Sequence, residues 1–373
     1  MTTTFTRSLL AAAIGLGGLA AHGQTPSGVT VFGVADAAAE MSSAGRGSTY
    51  RVISGGNLGS RLGFRGTEDL GGGLSAVFRI EQGILLDDGT LAQGGRAWGR
   101  EASVGLASNA WGTALLGRLP TPYYSVHASV DAFSWMGSGG LPAVARSETA
   151  SRPLLPLQVA ARADNALGYT SPTLGGFQVR VLGALGEGST TLGRAYGASV
   201  RYAAGPVVAV LGSMRQNGAG NANGNLQAVV VGGSFDFAAA QVFAGFTDEK
   251  NSCTTCTGGL ARVSGSTVTE FRLLNLGVRV PFGGATAIAQ AVRLSDRSVY
   301  AAPPGDRDAT WFAVGGEYSM SKRTMLYGSV GTITNKNGSL YALGSGTAAQ
   351  PANAVGTGNP RATTAQLGIR HVF

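Results

Sequence analysis

Apolar and polar side chains alternate with a period of two in one segment of this chain after another. Sixteen such segments can be counted, at roughly 29–40, 58–67, 73–86, 98–107, 112–119, 162–171, 176–186, 195–203, 206–216, 226–237, 241–250, 267–280, 285–297, 309–319, 324–335 and 360–373. Alternation on an extended backbone sets an apolar face against a polar one, which predicts two-sided β-strands. The connections alternate as well. Short ones, such as Pro172-Thr173-Leu174-Gly175, Ala204-Gly205 and Pro281-Phe282-Gly283-Gly284, are interleaved with long ones at 41–57, 87–97, 120–161, 187–194, 217–225, 251–266, 298–308 and 336–359. Turns at one end and loops at the other are the signature of an antiparallel barrel that spans a membrane.

The cost of burying charge assigns the faces. In Arg61-Leu62-Gly63-Phe64-Arg65 one face carries Arg61 and Arg65 and the other Leu62 and Phe64. An arginine at the lipid midplane costs about 2–4 kcal/mol, so the arginine face is expected to look inward. The same argument turns Arg79, Arg118, Arg180, Arg201 and Arg279 towards the interior. The last of the sixteen segments closes on Gln366 to Phe373, which alternates and has an aromatic at its end. A naked strand edge templates aggregation, and pairing it with the first strand removes the edge. The expected fold is therefore all-β, a sixteen-stranded antiparallel transmembrane β-barrel.

Residues 1–23 hold one basic residue, Arg7, then an uncharged run from Leu9 to Ala21 and the small-x-small site Ala21-His22-Gly23. That reads as a secretory signal peptide, too short to span a bilayer as a helix. The mature chain is expected at 24–373. Its 350 residues give about 22 per strand and connection, which suits strands of about 9–11 residues with turns and loops added. No composition shift marks a second domain.

Composition refines this picture. The 60 glycines follow no collagen-like period and suit turns and small lumen-facing positions. Without Arg7 the chain carries 27 basic and 20 acidic residues, and only Lys250, Lys322 and Lys336 are lysines. The arginines are scattered along strands, so anionic lipid, lipopolysaccharide or anionic solutes are expected partners, and nucleic acid is not. Cys253 and Cys256 sit in a Ser/Thr/Gly-rich loop and read as a small disulfide staple in an oxidising compartment. Further ligands for a metal are lacking nearby, and no metal or cofactor is expected.

Residues 120–161 form the longest stretch without strand alternation, and loops of that length usually carry function. Phe133, Trp135 and Met136 need a surface to pack against, which a loop folded into the barrel would find. In that arrangement Asp131 and Glu148 are expected to face Arg61, Arg65, Arg79 and Arg118 across a constriction, unless they pair locally with Arg146 or Arg152. Fixed charge selects ions by sign. Arginines outnumber acids here, so a weak to moderate anion preference is expected.

Several stretches carry a resemblance. They include Val29-Thr30-Val31-Phe32-Gly33-Val34-Ala35-Asp36, Ser60-Arg61-Leu62-Gly63-Phe64-Arg65-Gly66-Thr67-Glu68-Asp69-Leu70-Gly71-Gly72, Leu116-Gly117-Arg118, Tyr169-Thr170-Ser171-Pro172, Glu317-Tyr318-Ser319-Met320-Ser321-Lys322-Arg323-Thr324 and the closing Gly368-Ile369-Arg370-His371-Val372-Phe373. In this order the chain resembles the Gram-negative general diffusion porins of β-proteobacteria. The resemblance implies a water-filled homotrimer in the cell outer membrane, a third loop folded inward, and a terminal Phe373 read by the outer-membrane assembly machinery. It also implies Arg61, Arg65, Arg79 and Arg118 on a basic pore wall, and passive diffusion of small hydrophilic solutes.

Rival functions find less support. After the signal only His127 and His371 remain, which leaves His-dependent catalysis little to use. Ser319-Met320-Ser321-Lys322 matches S-x-x-K without its partner motifs. An enzyme is not expected. A solute-specific channel, or a closed adhesin-like barrel, is the alternative within the same fold.

Overall fold

The computed structural model describes residues 28–43, 47–135, 137–146, 161–186, 193–217, 225–252, 266–300, 308–336, 339, 341–344 and 361–373. The expected signal peptide, Glu148, Cys253 and Cys256 lie outside the described residues. Sixteen antiparallel staves form one closed sheet. β1 is Gly28–Ser43, and β2 runs in two pieces, Ser48–Ser54 and Arg61–Gly71. There follow β3 Leu74–Gly83, β4 Glu101–Ser108, β5 Gly112–Pro120, β6 Arg162–Thr170, β7 Phe177–Ala184 and β8 Ala195–Ala204. The second half comprises β9 Val207–Asn217, β10 Asn225–Asp236, β11 Gln241–Ser252, β12 Ser266–Phe282, β13 Ala285–Asp296, β14 Ala309–Ser319, β15 Thr324–Asn335 and β16 Arg361–Val372.

Each stave pairs with its sequence neighbour, and β16 pairs with β1 from Val34↔Val372 to Ser43↔Thr363. The seam is tied off by Phe373. Its N–H donates to the Gly33 carbonyl at 3.1 Å, and the Gly33 N–H donates to the Phe373 carbonyl at 2.9 Å. The Phe373 ring lies over Gly33, where a Cβ would sit 2.3 Å from a ring carbon. Only glycine allows that approach.

Alternation along the strands separates two environments. Val104, Leu116, Leu167, Leu211, Leu274, Leu276 and Leu367 are 51–70% exposed on one face, which is the lipid-facing surface of a membrane barrel. Phe177, Phe237, Phe282 and Tyr318 ring the short-turn end as exposed aromatics, where an interfacial girdle belongs. Tyr327, on β15, points inward: it is 4% exposed and its hydroxyl donates to Asp36 at 2.5 Å.

The first long connection differs from the expectation of a plain loop over 41–57. Ser48–Ser54 continues the barrel wall beside Ala37–Ser43, and the break that follows turns inward. There Asp36 accepts from the N–H groups of Asn57 at 3.2 Å and Leu58 at 2.7 Å, and Arg370 donates to the Asn57 side chain at 2.5 Å.

Candidate functional site

The loop between β5 and β6 enters through Thr121, whose side chain caps a short helix, α1, Pro122–His127. Pro122 suits a first helical position, where its missing N–H costs nothing. From there the chain crosses β8 to β15 on their non-lipid face, and reaching that far side requires a path through the lumen. A track of glycines makes room for it. A Cβ on Gly212 would lie 2.7 Å from Val126, on Gly245 2.7 Å from Val130, on Gly277 2.6 Å from Ala132 and on Gly315 2.8 Å from Phe133.

Hydrogen bonds pin the loop to the same wall. The Tyr123 hydroxyl donates to Glu249 at 2.7 Å, Asn275 donates to the Val130 carbonyl at 2.5 Å, and Arg279 donates to the Ala132 carbonyl at 2.8 Å. Gln290 is the hub: its carbonyl accepts from the Ala132 N–H at 2.9 Å while its amide donates to Asp131 at 3.0 Å and to the Gly139 carbonyl at 2.8 Å. His127 lies between Tyr123 and Trp135, with ring centroids 4.2 and 4.4 Å away. A second inward segment, Tyr341–Leu343, pairs with Val144–Arg146 of this loop, and the Tyr341 hydroxyl is anchored on Asp296 at 2.6 Å. One half of the interior is thereby filled with packed apolar side chains.

The opposite wall is basic. Glu81 is shared by Arg61 at 3.3 Å, Arg79 at 2.5 Å and Arg100 at 2.5 Å, and Arg79 also reaches Glu101 at 3.2 Å. Arg65 and Arg79 stand directly opposite each other in the strand register, and their guanidiniums lie 5.4 and 4.5 Å from the Phe32 ring centre. Arg162 covers the Tyr124 ring at 5.2 Å and donates to the Arg100 carbonyl at 3.0 Å. Arg180 and Arg201 continue the inward face on β7 and β8, opposite Ser199 and Gln178 respectively. Like charges set directly opposite each other destabilise a sheet, so a run of arginines sharing two carboxylates marks a surface suited to attracting anions.

Two expectations need correcting. Asp131 does not look across the lumen. It is fully buried inside the loop, where its carboxylate accepts from the N–H groups of Phe133 at 2.9 Å and Leu141 at 2.7 Å. Burial outweighs these bonds and pushes its carboxyl up to about 6. Arg118 does not join the Glu81 group either. It takes the strand parity of outward Leu116, and its guanidinium is tied to Asp164 and to the Gly99 carbonyl. A bulge opposite it, between the Gly117↔Ala166 and Leu119↔Ala163 pairs, accommodates the Arg118–Asp164 contact. Arg61, Arg65 and Arg79 do lie together. Sequence reasoning missed Glu81, Glu101, Arg100 and Arg162, although Arg79-Ile80-Glu81 already places an acid on the arginine face.

The model of the Gram-negative porin family matches residues 9–338. Outer membrane porin protein 32 of Delftia acidovorans is 32% identical over 384 residues, covering 98% of this chain and 99% of that protein. An outer membrane porin protein of Bordetella pertussis is 28% identical over 370 residues, 86% of this chain and 92% of its own. Among solved structures, the anion-selective porin from Comamonas acidovorans superposes with a TM-score of 0.75 at 29% identity, over 93% of this chain and 100% of that one. An outer membrane protein of Vibrio cholerae shares the fold at a TM-score of 0.63 and 14% identity, over 92% and 97% of the two chains. Closed barrel, inward loop and basic wall thus coincide with a match that runs through nearly the whole sequence, and the chain belongs to the Gram-negative porin family of outer-membrane proteins.

Proposed function

We propose that this protein is an outer-membrane channel for passive diffusion of small hydrophilic solutes, with a preference for anions set by Arg61, Arg65, Arg79, Arg100, Arg162, Arg180 and Arg201. The observation that carries this reading is the division of the interior: the inward loop occupies the wall of β8 to β15, and the open side is lined by arginines that share Glu81 and Glu101. A channel with fixed charge of one sign enriches the opposite ion. Asp131, held inside the loop, adds nothing to the field.

The working assembly is a homotrimer, in keeping with the family and with an outward face of β1 built from small side chains, Gly33, Ala35, Ala37 and Ala39. Residues 1–23 act as the export signal, Cys253 and Cys256 staple an external loop, and Phe373 serves as the assembly signal. The test is planar-bilayer recording in a potassium chloride gradient. The reversal potential is expected at the anion side and is expected to move towards zero in R65A/R79A. A wild-type reversal potential at the cation side would overturn the assignment. Liposome swelling with neutral sugars is expected to fall with solute size, whereas saturation by one sugar would point to a solute-specific channel.

A further inference from the structure

The two pieces of β2 pair with β1 as far as Ala37↔Ser54 and again from Val34↔Arg61, so residues 55–60 stand opposite Ala35 and Asp36 alone. The excess backbone has no ladder partner, and backbone without one cannot face lipid. It turns into the lumen. The turn is closed at its base, where Ser54 Oγ and Ser60 Oγ lie 3.1 Å apart and the Ser60 hydroxyl and the Gly55 N–H both donate to the Asp36 carbonyl, at 2.9 and 2.8 Å. Its tip is fixed as well, by the Asn57 and Leu58 N–H groups on the buried Asp36 carboxylate.

This turn touches both sides of the lumen. On the basic side the Gly59 carbonyl accepts from Arg61 Nε at 2.8 Å, and Arg61 belongs to the Glu81 group. On the loop side the Asn57 amide donates to Glu317 Oε1 at 3.2 Å, Glu317 Oε2 accepts from Arg279, and Arg279 donates to the Ala132 carbonyl of the inward loop at 2.8 Å. The direction of this line is set at its first member, because Arg370 donates to Asn57 Oδ1 at 2.5 Å and leaves Nδ2 facing Glu317. A second contact runs beside it. Gln366 donates to the Gly56 carbonyl at 3.2 Å, and a Cβ on Gly137 of the loop would lie 2.9 Å from the same amide nitrogen.

A lone carboxylate at Glu317 would oppose anions in the lumen. Paired with Arg279 it is neutralised and serves as an acceptor at both oxygens, and bonds to an ionised acceptor are the strong ones. We propose that Asn57 and Glu317 are positioning residues: through Arg279 they hold the Ala132 segment of the inward loop at a set distance from Arg61, and the turn at 55–60 is the strut that fixes the width between loop and basic wall. The consequence for pore width rests on the channel reading. The strut itself is a statement about the loop and does not.

The test breaks the line and then restores it with the hydrogen bond reversed. In N57D the new carboxylate still accepts from Arg370 but has no proton for Glu317. In E317Q one oxygen becomes an amide that sets donor against donor, at Asn57 or at Arg279. In N57D/E317Q the new amide donates to the new carboxylate while its carbonyl accepts from Arg279, with net charge and side-chain size as in wild type. Hydrogen exchange of the peptide spanning 131–143 is expected to be about 10-fold faster in each single variant, the scale of one lost bond to a charged group, and to return towards the wild-type rate in the double variant. Single-channel current is expected to follow, noisier in the single variants and quiet again in the double. A single variant that exchanges like wild type, or a double variant that exchanges as fast as either single, would overturn the proposal, and equal current in all four proteins would overturn the assignment of pore width to the strut. Should a single variant fail to fold, as shown by loss of heat-modifiable gel migration, the double variant decides: wild-type exchange supports the strut and fast exchange refutes it. Absence of conductance in wild type would count against the channel reading and leave the exchange result standing.

Discussion

The inward loop carries two buried groups that respond to acid in opposite directions, and this yields a prediction that variants can separate. His127 is fully buried between aromatic rings, and burial lowers its pKa from 6.5 to about 3, against a small opposing effect of the Tyr123 carbonyl. Asp131 is raised by burial from 3.8 to about 6. A group whose docked pKa lies below its free value takes up its proton only on release, so acid acting on His127 favours release of the loop. A group whose docked value lies above its free value takes up its proton while docked, so acid acting on Asp131 favours docking. Going from pH 7.5 to 4.5, the His127 contribution costs about 3 kcal/mol and the Asp131 contribution restores about 2 kcal/mol, at about 1.36 kcal/mol per pH unit of unequal protonation. The two contributions oppose each other, so wild type should change less with pH than the variant that keeps only His127. Asp131→Asn removes the restoring contribution and should lose about 100-fold in protection over the same range, and His127→Phe should gain about 30-fold. Hydrogen exchange of the peptide spanning 131–143, corrected for the pH dependence of free-amide exchange, reads this directly. Asparagine also turns an amide N–H towards the Leu141 N–H, so its loop is looser at every pH, and the slope is the readout. Parallel profiles in all three proteins would refute the reasoning.

Other perturbations test the loop, its track and the seam. Gly277→Val drives a branched side chain into Ala132, 2.6 Å from where its Cβ would lie, and should destabilise the docked loop by about 1–3 kcal/mol, seen as noisier single-channel current. Tyr123→Phe removes the buried bond to Glu249 at 2.7 Å. Its cost should be about 1.5–3 kcal/mol of docking energy, as for a bond to a charged group, with faster exchange around residue 123 and an unshifted reversal potential. Phe373→Ala keeps both backbone bonds to Gly33 but uncovers it, so the heat-modifiable folded fraction should fall, and equal folding in cells and in detergent refolding would argue against a sorting role.

Most of the barrel was legible because a period of two is a property of neighbours in sequence. Each strand states its own two faces, and the arginine cost decides which faces lipid. What failed depended on contacts between distant residues. Ser48–Ser54 is short and polar, and it becomes a strand because Ala37–Ser43 offers it a partner and Arg51 meets Glu40 across the pair at 2.7 Å. Arg118 was assigned to the wrong group because alternation cannot foresee where a bulge will give it an acidic partner. Asp131 read as a pore charge because nothing near it in sequence announces Gln290, the side chain that closes its cage.

The channel's polarity follows from where apolar surface is satisfied. A loop carrying Val126, Val130, Phe133, Trp135 and Leu141 must bury them, and the wall that receives it, β8 to β15, combines inward glycines and apolar side chains with the hydrogen-bonding anchors Glu249, Asn275, Arg279 and Gln290. Burial at about 25 cal/mol per Å² commits the loop to that side of the lumen. The other side, β2 to β8, has no apolar loop to cover it, and its arginines face the lumen, where Glu81 and Glu101 offset part of the cost of burying them. Moving the loop would require packing its rings against guanidiniums. In the proposed channel, selectivity and constriction then follow from one packing choice: the wall that holds the loop loses its contact with solute, and the wall that cannot hold it supplies the charge.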